Sequence, residues 1–523
     1  MGCGYPGECS CGGPPDGSGV KGCPRGWLLG QDGWCGSADH RCGFGFSTPQ
    51  RTPMPLVVGW AAALITALLW PFLLPHDGML ALRDMVVIDH PALSENALGW
   101  GNLPARNAPQ DGLLAIIGQI IPAPWTVRVA LLAAAIGGAV GAARLGQSQW
   151  QRIAAITVTL WNPFVVERLL QGHWSLVIAA WLVPLLLGQG RLVALWVASI
   201  TPTGAVLGAV IAAVSAPTRR LRLVVMAMST VLFLPWLLPS MIAPPAGVTD
   251  VFFPRAEGYV SRLGAFVGLG GIWNAEVIPP SREMGFAIAG IILCAITVWY
   301  APRRYQLLAL VGVVAMYAVT PWTLAHIPGV VLFRDSAKLS MLLLPAMIYG
   351  AARIRPRPLI AAAILAALLQ VPDAPLAVRP LAPVAQPELP RTTGKLLIVD
   401  SHGLVSYQGR TIVDPRIKAN ATVESGALSV DGQLIDAPSP AYAEATAAWH
   451  RGDHNYLREQ GITAVIDHGK FTPIADSTSQ RTAGFYLGLG CLVLWAAAGI
   501  CGCVITRRNS RPVSSHENVD ANS

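Results

Sequence analysis

Two carboxylates and a histidine stand close together at Asp84, Asp89 and His90, in the polar run that separates the first two long apolar stretches. The run continues through Asn102, Arg106 and Asp111. Ionisable groups at the point where a chain leaves the hydrocarbon are costly unless they face water, pair or bind something, so chemistry is sought there first. Three more polar segments carry comparable groups. Glu167, Arg168 and His173 lie in the run Trp161 to Trp174, Arg334, Asp335 and Lys338 in the run Phe333 to Lys338, and Arg255, Glu257, Arg262, Glu276, Arg282 and Glu283 in the loop 242–283. Glu167 and Arg168 point apart on a helix, and Glu167 and His173 are six residues apart, so the partners of all three are expected on other segments.

The elements that must position these groups are membrane helices. Hydrophobic residues make up 53% of the 523 residues and charged residues 13%, a composition of polytopic membrane proteins and not of soluble enzymes. Hydropathy predicts ten spans, near 55–74, 125–143, 152–170, 174–188, 221–241, 284–301, 305–325, 337–352, 357–372 and 482–504, each approaching the length that crosses about 30 Å of hydrocarbon. The net charge of +8 matters through its placement. Arg51, Arg144, Arg152, Arg191, Arg219, Arg220, Arg303, Arg304, Arg353, Arg355, Arg357, Arg507 and Arg508 mark one side, which the positive-inside rule makes cytoplasmic. Leu192 to Val214 lies between two such clusters and is broken by Thr201-Pro-Thr-Gly204. It is therefore expected to form a short helical hairpin that returns to the side it came from, with both chain termini cytoplasmic.

That orientation turns all four polar segments outward. After the first, Leu113, Leu114, Ile116, Ile117, Ile120 and Ile121 recur at helical spacing, which predicts a short amphipathic helix in the membrane surface, capped by Asp111 and stopped by Pro122 and Pro124. Residues 54–372 form the multi-spanning domain, 482–504 the last span and 505–523 a cytoplasmic tail. Residues 373–481 alternate strand signals (Lys395 to Asp400, Gly461 to His468) with helix signals (Ala441 to Trp449, Asn455 to Gln460), predicting a small extracytoplasmic α/β domain. Asp400, His402, Asp467 and His468 stand at its strand ends, and ordinary solvated loop residues are the plainer account of them. Asn420-Ala-Thr422 is a formal glycosylation sequon. Residues 1–53 hold six of the ten cysteines, at spacings that match no standard zinc pattern. A disordered Cys/Gly/Pro-rich tail is expected there, or a mis-assigned start ahead of Met54.

An acidic first outer loop, an interfacial helix after it and a C-terminal outer domain together resemble the GT-C superfamily of membrane glycosyltransferases that use polyprenyl-phosphate sugars. The nearest flavour is the mannosyl- and arabinofuranosyltransferases of the actinobacterial cell envelope. The strings Asn162-Pro-Phe-Val-Val-Glu-Arg-Leu-Leu-Gln-Gly-His-Trp174 and Phe333-Arg-Asp-Ser-Ala-Lys338 are similar to segments of archaeal and actinobacterial membrane proteins of that broad type, and the resemblance covers about residues 55–372. It implies that Asp84, or else Asp89, is the catalytic base that takes the proton of an acceptor hydroxyl. It also implies that cations such as Arg168, Arg334 and Lys338 meet the lipid-phosphate leaving group, with Glu167, His173 and Asp335 in the same substrate- and phosphate-binding set. The sugar would be inverted. Asp84, Asp89 and His90 could hold a divalent metal such as Mg or Mn, which some members of the superfamily need. Where the superfamily often carries a tight acidic pair, the two aspartates here are five apart, and Asp84, nearer the end of the first span, is preferred.

The partners expected are a polyprenyl-phosphate sugar donor, an envelope glycan or glycolipid acceptor and membrane lipid, with no nucleic acid. The alternatives are an envelope-lipid transporter or flippase, suggested by the broken hairpin, and a non-catalytic GT-C-like assembly protein. No P-loop or dinucleotide fingerprint occurs in the chain.

Overall fold

The computed structural model describes residues 54–74, 77–242, 250–327, 329–399, 403–430, 432–475 and 481–509. The N-terminal cysteines, Asp400 and His402 lie outside them. The molecule is mostly helical, with a few small sheets. Among the described residues seven helices are long and apolar enough to cross a membrane: Pro55–Leu73, Ala123–Leu145, Gln149–Gln171, Arg219–Ser240, Arg282–Trp299, Arg357–Ala377 and Ala483–Arg508.

Three other predicted spans form as shorter pieces. Residues 174–188 become Trp174–Trp181 and Val183–Leu186, residues 305–325 become Arg303–Ala318 and Pro321–His326, and residues 337–352 become a 3-10 turn Ser336–Leu342 followed by Leu344–Ala351. Pro184, Pro321 and Pro345 each sit at the start of the second piece, where the missing N–H is tolerated and the preceding turn is not continued.

Of the seven, Gln149–Gln171 is the most deeply covered, with an 18-residue stretch wholly buried, and is termed the axial helix of the bundle. Its start is set by a capping box between Ser148 and Gln151. It breaks at Trp161 and restarts where Asn162 accepts a hydrogen bond from the Val165 N–H (3.0 Å) ahead of Pro163, a strong helix start. Residues 191–215 form a hairpin, as their sequence suggests. Arg191–Ala198 and Pro202–Ser215 are antiparallel, and the Arg191 guanidinium donates to the Ser215 carbonyl (2.9 Å) across the open end. Close packing depends on Gly204, where a Cβ would lie 2.4 Å from the Ala198 carbonyl oxygen.

The polar run after the first span is not a loop. Leu80–Leu82 (β1) and Met85–Val87 (β2) form a tight antiparallel hairpin with Arg83 and Asp84 at its tip. Alternating burial is absent because both faces are covered, and the β-branched run Val86, Val87, Ile88 suits a buried strand. The amphipathic helix forms as Gln110–Ile117. Its N-cap is Pro109 rather than Asp111, whose side chain instead pairs with Lys418 (2.5 Å).

The segment 373–481 holds the remaining strands. Lys395–Ile398 (β3) lies between the parallel strands Ala421–Val423 (β6) and Ile462–Asp467 (β9), and Lys470–Pro473 (β10) adds antiparallel to β9. Helices Pro440–His450 and His454–Glu459 bury Tyr442, Ala445, Ala448 and Leu457 against Leu397 and Val465. Two hairpins complete the segment, Leu404–Tyr407 with Arg410–Val413 (β4, β5) and Leu428–Val430 with Gln433–Asp436 (β7, β8).

The first polar run is stitched to this segment. The Arg83 N–H donates to the Thr411 carbonyl and the Val413 N–H to the Arg83 carbonyl, both at 2.9 Å, so the tip of β1–β2 continues into β5. Two asparagines then imitate a strand along the edge of β6. The Asn96 amide pairs with both backbone groups of Thr422 (3.0 and 3.2 Å), and the Asn102 amide pairs with both of Glu424 (2.7 and 3.0 Å). An otherwise open edge is thereby satisfied. Asn420 of the sequon is 2% exposed and its side chain bonds Pro390, Arg416 and Thr392, so the folded chain offers no glycosylation site there.

Candidate functional site

A cavity of about 940 Å³ opens where the first polar run, the end of the axial helix and the 403–440 region meet. Asp84 and His173 line it, as do Arg334, Asp335 and Lys338, together with the hairpin turn Thr201 to Thr203. Three of the four polar segments picked out in the sequence thus contribute expected site residues to one space.

Asp84 is positioned by the end of the axial helix. That helix stops at Gly172 (φ 91°), where a Cβ would lie 2.2 Å from the Met85 backbone nitrogen. Only glycine allows this approach. The Asp84 N–H donates to the Gln171 carbonyl (3.2 Å). The side chains of Gln171 (3.0 Å) and His173 (3.1 Å) both reach Asp84 Oδ2, and Asn274 donates to the other end of the Gln171 amide (2.9 Å). Burial alone would raise the Asp84 carboxyl, but its neighbours, His173 foremost and then Gln171 and Lys338, outweigh it and hold it below its ordinary value. Burial pushes His173 below its ordinary value despite the pull of Asp84.

Beneath the cavity floor, Arg168 makes a two-pronged pair with Asp335; both are almost fully buried. Burial raises the Asp335 carboxyl and the Arg168 charge, then that of Lys338, more than reverses this. Lys338 approaches Asp335 only to 4.0 Å. Arg334, also on the lining, is engaged by two hydrogen bonds to Asp436 (2.9 and 3.1 Å), with its guanidinium 4.2 Å from the centre of the Phe252 ring. Arg106 shares Asp436 at 3.8 Å. Further along the wall, Glu424 accepts from Asn96 (2.7 Å), and burial keeps its carboxyl above the ordinary range against the pull of Lys418.

The structure separates the rest. Asp89 and His90 do not line the cavity. The Asp89 N–H is held by Gln386 (2.8 Å), and His90 Nδ1 bonds the Gly118 carbonyl (2.6 Å). The trio Asp84, Asp89 and His90 therefore does not converge, and no three His, Cys, Asp or Glu side chains among the described residues do. Glu167 is 2% exposed and faces away from the cavity set. It accepts from the Ile272 N–H (3.2 Å) and joins Glu257 and Arg282 around Gly270. Asp467 ends β9 and His468 opens the β9–β10 turn; the two are bonded to each other (2.8 Å), with Asp467 also accepting from Trp449 (2.9 Å).

Arg106 belongs to the first polar run, whereas Gln171, Asn274, Lys418, Glu424 and Asp436 are cavity residues that the sequence reading does not single out. Gln171 sits inside the Asn162 to Trp174 string, two residues from His173, and its position at the helix end was the one signal to hand. The others reach the cavity only through contacts between distant segments. No family model, no curated protein and no solved structure matches the chain.

Proposed function

We propose that the chain is an inverting, GT-C-like integral-membrane glycosyltransferase that moves a sugar from a polyprenyl-phosphate donor to a cell-envelope glycan or glycolipid on the outer face of the membrane. In this reading the bundle makes about ten crossings plus the short hairpin, both termini are cytoplasmic, and 373–481 is an extracytoplasmic α/β domain. Support for that orientation comes from the two ends of the axial helix. At the Gln149 end lie Arg191, Ser215 and Tyr305, joined by hydrogen bonds, with Arg353 beside Tyr349. The cavity lies at the Gln171 end, about 35 Å away at 1.5 Å per residue. Arginines at the far end from the cavity fit a cytoplasmic side.

One observation carries the reading: a carboxylate held below its ordinary value, with both donors on Oδ2, opens into a large cavity alongside a lysine whose nearest ionic partner among the described residues is Asp335, at 4.0 Å. Asp84 takes the proton of the acceptor hydroxyl as its oxygen bonds to the anomeric carbon. The bond from that carbon to the phosphate oxygen breaks, and the lipid phosphate leaves with the electron pair. Lys338 meets its growing negative charge. Arg168 and Arg334, already committed to Asp335 and Asp436, steady the walls rather than bind the phosphate directly. Asp84→Asn should abolish transfer from a radiolabelled polyprenyl-phosphate pentose or hexose by purified protein that elutes and melts like the parent. Full activity in that variant removes Asp84 from the reaction.

A transporter of envelope lipid is the second reading, favoured by the turn Thr201 to Thr203 of the broken hairpin on the cavity wall. It predicts movement of labelled lipid across vesicles with no glycosidic bond formed.

A further inference from the structure

Asp84 and His173 form an asymmetric pair. Two donors, Gln171 Nε2 and His173 Nε2, converge on Oδ2. Among the described residues no hydrogen bond reaches Oδ1. The Asp84 side chain is 44% exposed, and Asp84 lines the cavity, which leaves Oδ1 as the oxygen open to a ligand. On the imidazole the asymmetry is reversed. Nε2 faces the carboxylate, whereas Nδ1 is buried with no partner among the described residues. A second proton at Nδ1 would place an unsatisfied charged donor in the interior, which is strongly disfavoured. The single proton of the ring therefore belongs on Nε2.

The surrounding charges act in the same direction. Lys338 of the Ser336–Leu342 turn and Arg168 of the axial helix both disfavour a charged His173. Asp335, which also faces it, is neutralised by Arg168. Arg106 of the first polar run and Lys418 of the Arg416–Ala419 helix add positive potential near Asp84.

We infer that His173 is a positioning residue: a neutral imidazole whose Nε2–H, together with the Gln171 amide, pins Asp84 Oδ2 and leaves Oδ1 as the oxygen that takes the acceptor proton. The last step rests on the transfer reading above; the pinning does not. A histidine beside a carboxylate is usually regarded as the proton carrier. Here its unpartnered Nδ1 gives that part to Asp84, and His173 acts through it. The hairpin tip and the helix end that bring the two together are fixed by Gly172, so the donor geometry is built into the backbone.

The test uses the full chain in nanodiscs and compares the parent with His173→Phe and His173→Gln. Asp84 is esterified with a diazo reagent, which consumes the protonated carboxyl, over a series of pH values, and modification is counted by mass spectrometry. Sugar transfer is followed in parallel. Loss of the donor in His173→Phe should move the midpoint of Asp84 modification upward in pH and carry the acidic limb of the rate profile with it. It should lower kcat roughly tenfold with little change in KM. His173→Gln, which keeps an N–H donor, should recover most of both. The parent should show no limb that moves to lower pH or disappears in His173→Phe, since a neutral ring does not titrate with activity. A modification midpoint unmoved in His173→Phe overturns the proposal, and so does a limb of the parent profile that vanishes with the imidazole. If His173→Phe does not fold, His173→Asn, too short to reach Oδ2, carries the same comparison. A shifted midpoint in a chain that transfers no sugar from any polyprenyl-phosphate donor keeps the pinning and removes the transfer reading.

Discussion

Glu167 and Arg168 are neighbours on the axial helix, yet they belong to two regions of opposite character. Arg168 reaches under the cavity to Asp335, and the charges continue from there through Lys338 to Asp84 and His173, which meet open space. Glu167 turns the other way into a sealed cluster with Glu257 and Arg282, 5% and 0% exposed, closed over by Gly270. There the Gly271 and Ile272 N–H groups donate to the two carboxylates (2.5 and 3.2 Å) and Arg282 donates to the Gln370 carbonyl (3.2 Å). Buried ionic groups are therefore not by themselves a sign of a site. What distinguishes the first region is that two of its charged groups, Asp84 and Lys338, face an open cavity, while the second is sealed from solvent by the 255–282 segment that packs against the axial helix, with Glu167 Oε1 and Arg282 Nε left unpartnered among the described residues.

The sharpest way to break this contrast is to remove the shared cation of the sealed cluster. Arg282→Met leaves two carboxylates buried with no counter-ion and should cost about 3–5 kcal/mol, read as a collapse of the thermal transition in detergent. If the variant melts like the parent, the cluster does not hold the fold. Two glycines test the regions in parallel. At Gly270 a Cβ would lie 2.4 Å from Arg282 Nη2 and 2.5 Å from Glu257 Oε1, and at Gly172 it would lie 2.2 Å from the Met85 nitrogen. Each Gly→Ala change should destabilise by about 1–3 kcal/mol, but only Gly172→Ala should alter the reactivity of Asp84, because only it separates the hairpin tip from Gln171 and His173. Equal effects on Asp84 would mean that the two regions are not independent.

A third distinction is kinetic. Lys338→Met should lower kcat/KM for a polyprenyl-phosphate donor about tenfold, or roughly 1.4 kcal/mol, chiefly through kcat, while leaving the thermal transition near that of the parent. A stability loss as large as that of Arg282→Met would place Lys338 among the structural charges. Acid supplies a fourth. Asp335 and Asp84 are held below the ordinary carboxyl value in the folded chain. Their contribution is thus complete above the unfolded value of about 4 and fades as pH falls through the lower, folded one. Unfolding on acidification should therefore show a component that Asp335→Asn abolishes. The smallest effect belongs to Glu276→Gln. The Arg83–Glu276 pair (2.8 Å) is largely solvated on the Glu276 side, and removing it should leave stability and activity unchanged within error.

Much of the site was legible one segment at a time. Asp84, His173, Arg334 and Lys338 stand out as ionisable residues beside apolar stretches, and all four line the cavity. The helical hairpin followed from a Pro-Thr-Gly break between arginine clusters. The N-cap at Asn162 follows a local rule too. The errors have a common cause. Asp111 looked like a cap because Asp is a good N-cap, but a lysine more than 300 residues away claims its carboxylate (2.5 Å). The first polar run looked like a loop because its strands are three residues each and pair with one another and with β5. Strands that short leave no clear period in a sequence.

By itself the sequence determined the class of the molecule and the residues able to do chemistry, because hydropathy, helix breaks and the cost of a charge near hydrocarbon are local properties. The tertiary structure alone decided which of those residues meet. Neighbouring side chains on a helix diverge, so Glu167 and Arg168 part company. Asp84 and Asp89 are separated by a hairpin whose tip carries only the first to the cavity, and Arg334 finds Asp436, a residue of a strand that no local signal connects with it. Pairing of this kind depends on how distant segments pack, and no spacing along the chain encodes it.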